Sequence, residues 1–264
     1  MREKTAASGP PPRLLVLAAG KGGVGVTTLA VNLAIGLAEQ GARVVVVDAD
    51  LHRNDVAAIC GIPQPETTAN AMVARRDIHE ALQRGPAGIQ IVPGLWAPDE
   101  RDDGNMLTQD RILRQFRMLG PHADVLVLDV GTGPATIVRR FLAAADDILV
   151  ITTPDSVSVM DTYSRIKSSL AGIGKSDLKL VVNRCMEEAE SSDVHQRIDQ
   201  SCRRFLGFGI ALLGVVPEDD RARQATGDSV PFMIAAPGCP AARAVQRLAA
   251  TLWNSPTEKL TRSA

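Results

Sequence analysis

Seven short apolar runs, separated by stretches of helical periodicity, constrain the fold of this chain more than any other feature of its sequence. The runs are rich in valine, leucine and isoleucine, and most do not alternate with polar residues. Continuous runs of this length are typical of strands that are buried on both faces of a parallel sheet. The predicted strands are residues 14–18, 42–47, 89–92, 124–128, 147–151, 178–182 and 211–216.

Helical patterns lie between these strands, and they complete the prediction of the fold class. The predicted helices are residues 27–39, 78–83, 108–119, 135–144, 157–170, 193–205 and 240–253. Leu33, Ile35 and Leu37 surround the first helix with apolar side chains, so we expect it to be packed deeply. Repeated strand–helix–strand order predicts an α/β fold with a doubly wound, mostly parallel sheet and helices on both faces. Such folds bind ligands beyond the carboxyl ends of their strands.

The bulk composition fits one folded domain with short extensions at both ends. The chain has 264 residues, of which 45% are hydrophobic and 22% are charged, and this supplies enough apolar material for one sizeable core. Residues 1–12 are polar and end in consecutive prolines, so we predict a disordered arm there. Residues 13–253 form the predicted domain, and residues 254–264 form a predicted flexible tail.

Charge and hydropathy argue against several classes of partner. The net charge is −1 and the isoelectric point is about 6.4, so no overall field draws the chain to nucleic acid or to an anionic membrane. The arginine pairs Arg203–Arg204 and Arg243–Arg247 leave a local basic patch open, although such pairs are usually solvated. No apolar stretch reaches the ~18 residues of a membrane span. We therefore expect a cytoplasmic protein without stable membrane anchoring, whose four cysteines are small buried side chains.

A glycine-rich loop follows the first predicted strand and precedes the first predicted helix. It reads Gly20-Lys21-Gly22-Gly23-Val24-Gly25-Val26-Thr27-Thr28. Its glycines let successive backbone N–H groups turn toward one point, and the helix start adds free N–H groups and the positive end of its dipole. A polyphosphate fits this cradle, with the Thr27 hydroxyl offered to Mg²⁺ and the Thr28 hydroxyl offered to a phosphate.

Acidic residues end two of the predicted strands. Asp48 and Asp50 are two positions apart after the second strand, so both carboxylates project to one side, into the predicted crevice. For either residue alone, capping of the following loop is an alternative role, because aspartate favours turns. Asp129 ends the buried strand 124–128, and Gly131 and Gly133 after it allow a loop that follows a bound phosphate.

Two later segments supply further candidate contacts. Asn183 and Arg184 follow the run 178–182, and Pro217 follows the run 211–216. An asparagine amide both donates to and accepts from a purine edge. Taken alone, an asparagine after a strand is usually a turn residue, so its value as a candidate comes from its place in this series of motifs.

The loop sequence GKGGVGVTT resembles the deviant Walker A motif of the MinD/ParA family of P-loop ATPases, which is marked by an early lysine, here Lys21. The resemblance implies binding of ATP or ADP with Mg²⁺. It also implies a homodimer that forms on ATP binding, in which Lys21 reaches the partner's phosphates.

The same resemblance assigns roles to the other motifs. It implies that Asp50 orients or activates the attacking water, so Asp50 and Lys21 are the candidate catalytic residues. Thr27, Asp48 and Asp129 are the candidate metal-site residues, with Asp129 holding Mg²⁺ through water. The adenine contacts of the family fall on Asn183, Arg184 and the backbone near Pro217.

Val26 departs from the family pattern. The ordinary Walker lysine, which holds the β- and γ-phosphates within its own subunit, belongs directly before Thr27, and that position is Val26. The chain therefore keeps the lysine that acts across the dimer and lacks the one that acts in its own subunit. We expect nucleotide binding to weaken before it vanishes, because the backbone cradle remains, and ATP hydrolysis to be weak or absent.

Within the family, the resemblance is greatest to the FlhG/FleN/YlxH group, which regulates flagellar number and placement. It covers about residues 14–253. It implies a protein partner, either an FlhF-like GTPase or another flagellar regulator. The arm has no DQAxxLR-type motif, and we find no C-terminal amphipathic membrane helix, both of which occur in that group.

Two functional hypotheses follow from these motifs. In the first, the chain is a slow ATPase whose ATP-bound dimer binds a partner and whose hydrolysis releases it. In the second, it is a pseudo-ATPase that acts as an interaction or scaffold protein. A ParA-like partition ATPase is a further alternative, although the isoelectric point does not favour nonspecific DNA binding.

Overall fold

The computed structural model describes residues 10–50, 55–62, 78–93, 106–131, 135–170 and 178–255. Residues 1–9 of the predicted arm, residues 256–264 of the predicted tail and Gly133 lie outside these ranges. Residues 10–12 have no regular secondary structure. They lie against Gly120, where an added Cβ would be only 2.2 Å from the carbonyl oxygen of Pro10.

The described chain forms one sheet of eight strands. The strands are β1 (Arg13–Ala19), β2 (Val44–Asp48), β3 (Gln83–Arg84), β4 (Gln90–Val92), β5 (Val125–Asp129), β6 (Asp147–Thr152), β7 (Leu178–Cys185) and β8 (Ala211–Pro217). Their order across the sheet is β3-β4-β2-β5-β1-β6-β7-β8. Every neighbouring pair is parallel except β3 and β4. The predicted doubly wound, mostly parallel sheet is therefore confirmed.

Helices cover both faces of this sheet. They are α1 (Val26–Glu39), α2 (Asp55–Ile59), α3 (Met106–Met118), α4 (Ala135–Ala144), α5 (Ser156–Arg165), α6 (Glu188–Leu206), α7 (Asp220–Gly227), α8 (Phe232–Ala235) and α9 (Pro240–Asn254). A π-helical turn, Ile166–Leu170, extends α5. None of the helices in the described ranges is both long and apolar enough to cross a lipid bilayer.

The strands bury both of their faces, as their continuous apolar sequences predict. Leu14 and Val16 belong to the core layer that β1 shares with α3, α4, α5 and α6. Leu15 and Leu17, which point to the opposite side, belong to the layer with α1 and α9. Because successive side chains alternate across a strand, a strand between two helical layers needs an apolar residue at every position. Helix α1 is buried from Leu29 to Leu37, as expected.

Two predictions about secondary structure were wrong or incomplete. The helix predicted at 78–83 is a single 3-10 turn, Ile78–Ala81, followed by β3, which pairs antiparallel with β4 at the edge of the sheet. The short helices α2, α7 and α8 were not predicted. Each has at most eight residues, too few to show a reliable helical period in the sequence.

Two buried polar groups connect distant parts of this fold. Asp147, at the start of β6, accepts hydrogen bonds from Arg13 and Lys179. Asn32 in α1 has no exposed surface, donates to the carbonyl of Thr28 at 2.7 Å and accepts from the N–H of Met233 at 2.9 Å. The second contact fixes the start of α8 to the helix that follows the glycine-rich loop.

Candidate functional site

A cleft of about 400 Å³ opens at the carboxyl ends of the central strands. The glycine-rich loop, α2 and the end of α7 all contribute to its lining. The lining residues that the sequence predicted are Lys21, Gly22, Gly23, Gly25, Val26, Thr27, Thr28, Asp50, Gly131 and Arg184. The cleft therefore brings together most of the predicted site from four separate segments of the chain.

The backbone of the loop has the conformation that its glycines allow. Gly23 and Gly25 have φ angles of 83° and 93°, in the left-handed region that residues with a Cβ rarely adopt. Gly20 is required for a different reason, because a Cβ there would lie 2.2 Å from the backbone of Asp161 in α5. Arg165, also in α5, donates to the carbonyl of Ala19 at 3.1 Å. Helix α5 therefore fixes the start of the loop.

Lys21 contacts an acidic residue of its own chain. Its Nζ lies 3.5 Å from Oδ1 of Asp155, and both side chains are about half exposed. Asp155 caps α5 by accepting from the N–H of Ser158 at 2.9 Å, and it accepts a second hydrogen bond from the Thr153 hydroxyl at 2.6 Å. Burial alone would raise the pKa of Asp155, but the hydrogen bonds from Ser158 and Thr153 and the charge of Lys21 lower it. Asp155 is therefore anionic at neutral pH.

Asp129 is buried directly behind the cleft. Its Oδ1 accepts from the N–H of Gly131 at 3.1 Å, whereas its Oδ2 is buried and has no hydrogen-bond partner among the residues that the structure describes. Burial raises the pKa of Asp129 to about 6, while the Thr27 hydroxyl and the Gly131 N–H oppose this rise. A buried carboxylate oxygen without a partner, beside a threonine hydroxyl, fits a hydrated Mg²⁺. Thr27 and Asp129 are thus suited to hold this ion when nucleotide is bound.

Asp48 is buried and accepts hydrogen bonds from two backbone N–H groups. It is 1% exposed, and its carboxylate accepts from the N–H of Val56 at 3.1 Å and from the N–H of Asp50 at 3.3 Å. Val56 lies in the first turn of α2, so Asp48 caps this helix, and its role at a metal site stays a prediction. Burial and the charge of Asp129 raise the pKa of Asp48 well above its usual range. Asp48 does not line the cleft.

Asp50 lines the cleft and lies against the loop that follows β5. A Cβ on Gly131 would be 2.0 Å from Oδ2 of Asp50, and Gly131 has a φ angle of 49°. Glycine is therefore needed at position 131 both for the backbone conformation and for the approach of this carboxylate. The segment after β2, which carries Asp50, and the segment after β5, which carries Gly131, meet at this contact.

Val26 is the first residue of α1 and is only 9% exposed. Its side chain packs in the core layer that contains α1 and α9, and part of it lines the cleft. The position therefore faces the cleft without charge. Asp50 and Asp55 also line the cleft, and Asp48 and Asp129 lie behind it. Position 26 therefore adds no positive charge beside these aspartates.

The predicted adenine-contact residues do not share one environment. Asn183 is 7% exposed, and its Nδ2 donates to the carbonyl of Val24 at 2.8 Å. This hydrogen bond supports the glycine-rich loop from β7. Arg184 lines the cleft, whereas Pro217, the last residue of β8, does not line it. The N–H of Glu218 donates to the carbonyl of Cys185 at 2.9 Å, so the backbone next to Pro217 is partly engaged within the sheet.

Five lining residues were missed by the sequence reasoning: Asp55, Ala58, Ile59, Thr226 and Ser229. The first three belong to α2, whose brief apolar pattern gave only a weak signal. Ser229 follows Gly227 in a turn before Pro231, and its φ angle is 58°. Its carbonyl lies 3.1 Å from the position of a Cβ on Gly61, so the turns after α2 and α7 meet at the cleft.

Comparison with protein families matches most of the chain. A family model described as the CobQ/CobB/MinD/ParA nucleotide binding domain matches residues 15–232. The matched range includes the whole glycine-rich loop and the strand ends that carry Asp48, Asp129 and Arg184. Among curated proteins, the chain is similar to the antiactivator FleN of Pseudomonas aeruginosa. The two sequences are 29% identical over 215 residues, which cover 81% of this chain and 77% of FleN.

Solved structures show the same fold. The MinC:MinD cell division protein complex of Aquifex aeolicus contains a chain that matches with a TM-score of 0.74 and 21% identity, covering 92% of this chain and 97% of that chain. The septum site-determining protein MinD complexed with Mg-ADP, from Pyrococcus horikoshii, matches with a TM-score of 0.72 and 21% identity. That match covers 91% of this chain and 96% of the other. At this identity, the likeness shows the fold alone.

Proposed function

The chain belongs to the CobQ/CobB/MinD/ParA family of nucleotide-binding domains, and from this premise we propose that it binds ATP and ADP with Mg²⁺ as a dimeric switch. Asp129 supplies the observation that carries the proposal. Within the described part of the chain, its Oδ2 is buried without a partner near Thr27, beside a cleft lined by the glycine-rich loop. An ion that binds there satisfies this oxygen, and the loop N–H groups bind the phosphates.

The switch is the dimer that forms on ATP binding. Lys21 is the candidate residue for contact with the partner's phosphates, because it lines the cleft and its one ion pair within the described residues is a half-exposed contact with Asp155. Exposed ion pairs contribute little stability, so Lys21 is easily released from its own chain. Asp50 is the candidate for orienting the attacking water.

Hydrolysis is weak or absent in this proposal, because position 26 lacks the ammonium group that stabilises charge on the transferred phosphoryl group. Val26 is buried in a core layer, and its uncharged side chain cannot take that role. Nucleotide binding then drives dimer formation, while little of the nucleotide is hydrolysed.

The similarity to FleN supports a role in flagellar number or placement, or in another form of spatial regulation. A dimer of this kind presents a composite surface that neither monomer has. We propose that this surface binds a protein partner, either an FlhF-like GTPase or another flagellar regulator. The switch acts in the cytoplasm and without stable membrane anchoring.

Isothermal titration calorimetry with ADP and ATP, each with and without Mg²⁺, tests the proposal. We expect one site per chain and tighter binding when Mg²⁺ is present. Light scattering coupled to size exclusion, with and without ATP and Mg²⁺, tests for the dimer. Failure of both nucleotides to bind to folded protein would contradict the proposal.

The buried Val26 favours a second candidate function, a pseudo-ATPase that acts as an interaction protein whether or not nucleotide is bound. The two candidates differ in one measurement. The switch binds its partner only with ATP, whereas the pseudo-ATPase binds its partner equally with ATP, with ADP or with neither.

A further inference from the structure

Arg184 occupies an irregular position at the carboxyl end of β7. Asn183 pairs with Val216 of β8 and Cys185 pairs with Pro217, so Arg184 is an extra residue without a partner on the neighbouring strand. Its φ angle is 59°, in the left-handed region that is costly for a residue with a Cβ. Bulges of this kind redirect a side chain, and strained backbone is concentrated at functional sites.

The bulge directs Arg184 over the glycine-rich loop. Its terminal nitrogen Nη2 is 3.9 Å from the position that a Cβ on Gly25 would take, and the side chain lines the cleft. Asn183, on the same bulge, binds the carbonyl of Val24 and so holds the two segments together. The guanidinium group therefore lies next to the residue that directly precedes Val26.

The guanidinium of Arg184 has no competing partner in the part of the chain that the structure describes. In the described ranges of the chain, Arg184 is exposed and makes no ion pair and no side-chain hydrogen bond. This distinguishes it from arginines such as Arg43 and Arg223, each of which pairs with a carboxylate. A free guanidinium beside a loop of N–H groups is suited to an anionic ligand, because it donates several hydrogen bonds in a fixed plane.

Position 26 explains why a cation is needed here. Asp50 and Asp55 line the cleft and Asp129 lies behind it, whereas Val26 adds no positive charge. Lys21 is at the far end of the loop and pairs with Asp155. Among the described residues that line the cleft, Arg184 is therefore the cation nearest to Gly25 and Val26.

We propose that Arg184 binds the phosphates of the nucleotide from β7 and replaces, within the same subunit, the charge that Val26 lacks. This inference rests on the proposed function and changes the role that the family resemblance implied for Arg184. The residue acts on the phosphate chain rather than on the adenine ring. The alternative is a guanidinium that only stacks on the base.

A double-mutant cycle between Arg184 and Val26 separates these two roles. The variants are Arg184→Gln, Val26→Lys and the two combined, and calorimetry measures the affinity of each for ADP with Mg²⁺. If Arg184 supplies the missing phosphate contact, Arg184→Gln weakens ADP binding by ~10-fold or more, the scale of one charge-assisted contact. Val26→Lys then restores affinity in the Arg184→Gln background by a larger factor than it improves the wild type.

Two further variants control this cycle. Arg184→Lys keeps the charge and should retain part of the affinity, because an ammonium group still attracts phosphate but cannot form a planar pair of hydrogen bonds. Arg197→Gln removes an exposed arginine of α6 that pairs with Asp193, and it should leave ADP binding unchanged. Circular dichroism establishes that each variant is folded.

The outcomes are distinct. If Val26→Lys raises ADP affinity by the same factor in the wild type and in the Arg184→Gln variant, the two positions act independently. This result would overturn the phosphate role of Arg184. Unchanged ADP affinity in Arg184→Gln would overturn it as well, while leaving the proposed function intact. Absence of ADP binding by the wild-type chain would overturn both.

Discussion

Lys21 Nζ lies 3.5 Å from Asp155 Oδ1 in the same chain, so the lysine expected to act across a dimer is held by its own subunit when no partner is present. Both side chains are about half exposed, and solvent screens the pair. Asp155 also caps α5, whose backbone lies against Gly20. The ion pair therefore connects the start of the phosphate loop to the helix beside it.

Replacement of Lys21 tests its role in dimer formation. We expect Lys21→Ala to abolish the shift from monomer to dimer on addition of ATP and Mg²⁺, because the variant lacks the charge that reaches the partner's phosphates. Asp155→Asn is the matched control, since asparagine still caps a helix but releases Lys21. It should dimerise at least as readily as the wild type in sedimentation velocity. An unchanged ATP-dependent dimer in Lys21→Ala would remove this lysine from the mechanism.

Val26→Lys tests the main departure from the family pattern. Position 26 lines the cleft, so a lysine there can extend its ammonium group toward the phosphates while its stem keeps the packing of the valine. We expect ATP affinity to rise by ~10-fold and hydrolysis to increase. Val26→Met is the control, because it adds length without charge. The double variant Val26→Lys with Asp50→Ala should bind ATP without turnover.

Release of phosphate from ATP and calorimetric titration measure these effects. If Val26→Lys is folded and changes neither affinity nor rate, the site has diverged beyond this one position. The pseudo-ATPase function would then be favoured over the slow ATPase.

The raised pKa of Asp129 predicts how the stability of the chain depends on pH in the absence of Mg²⁺ and nucleotide. Burial raises its pKa from the ordinary value of 3.8 to about 6, so between these values the folded chain binds more protons than the unfolded chain. The contribution of Asp129 to the free energy of unfolding is therefore highest below about pH 4, and it falls as the pH rises through 6. Asp129→Asn should raise stability at pH 7.5 by up to about 3 kcal/mol, the equivalent of two pKa units.

Urea denaturation at pH 5 and pH 7.5 measures this difference. Asp124→Asn is a control of opposite sign, because a hydrogen bond from Arg43 lowers the pKa of Asp124 and its charge is stabilising. The same Asp129→Asn variant should lose the Mg²⁺ dependence of ADP binding. If Asp129→Asn is less stable than the wild type at pH 7.5, or if its ADP binding still depends on Mg²⁺, Asp129 is not an unpaired carboxylate that binds the metal ion.

Substitution of Asn32 tests how much the contact between α1 and α8 contributes to the free energy of unfolding. Asn32→Leu removes the acceptor for the Met233 N–H, and burying that group without a partner should cost about 1–3 kcal/mol in the free energy of unfolding. Gln246→Leu removes an exposed hydrogen bond to Glu39, and it should change stability by no more than about 0.5 kcal/mol. Equal effects of the two substitutions would mean that the Asn32 contact is not maintained in solution.

Much of the fold and part of the site are local properties of the sequence. The continuous apolar runs predict the strands because both neighbours of a central strand and both helical layers exclude water from it. The loop from Gly20 to Thr28 is predictable because its glycines, its strand and its helix are adjacent along the chain. Asp129 is predictable for the same reason, since it ends a buried strand, and its loss of water on folding raises its pKa.

The tertiary structure alone decided which distant groups meet. Arg184 reaches the loop through a bulge whose register depends on β8, and Lys21 meets Asp155 across 134 positions of the sequence. Asp48 caps α2 rather than lining the cleft, because the preceding strand places its carboxylate under that short helix. Side-chain contacts of this kind depend on strand order, strand register and the angle at which helices pack, and these arise from the whole core rather than from any window of the sequence.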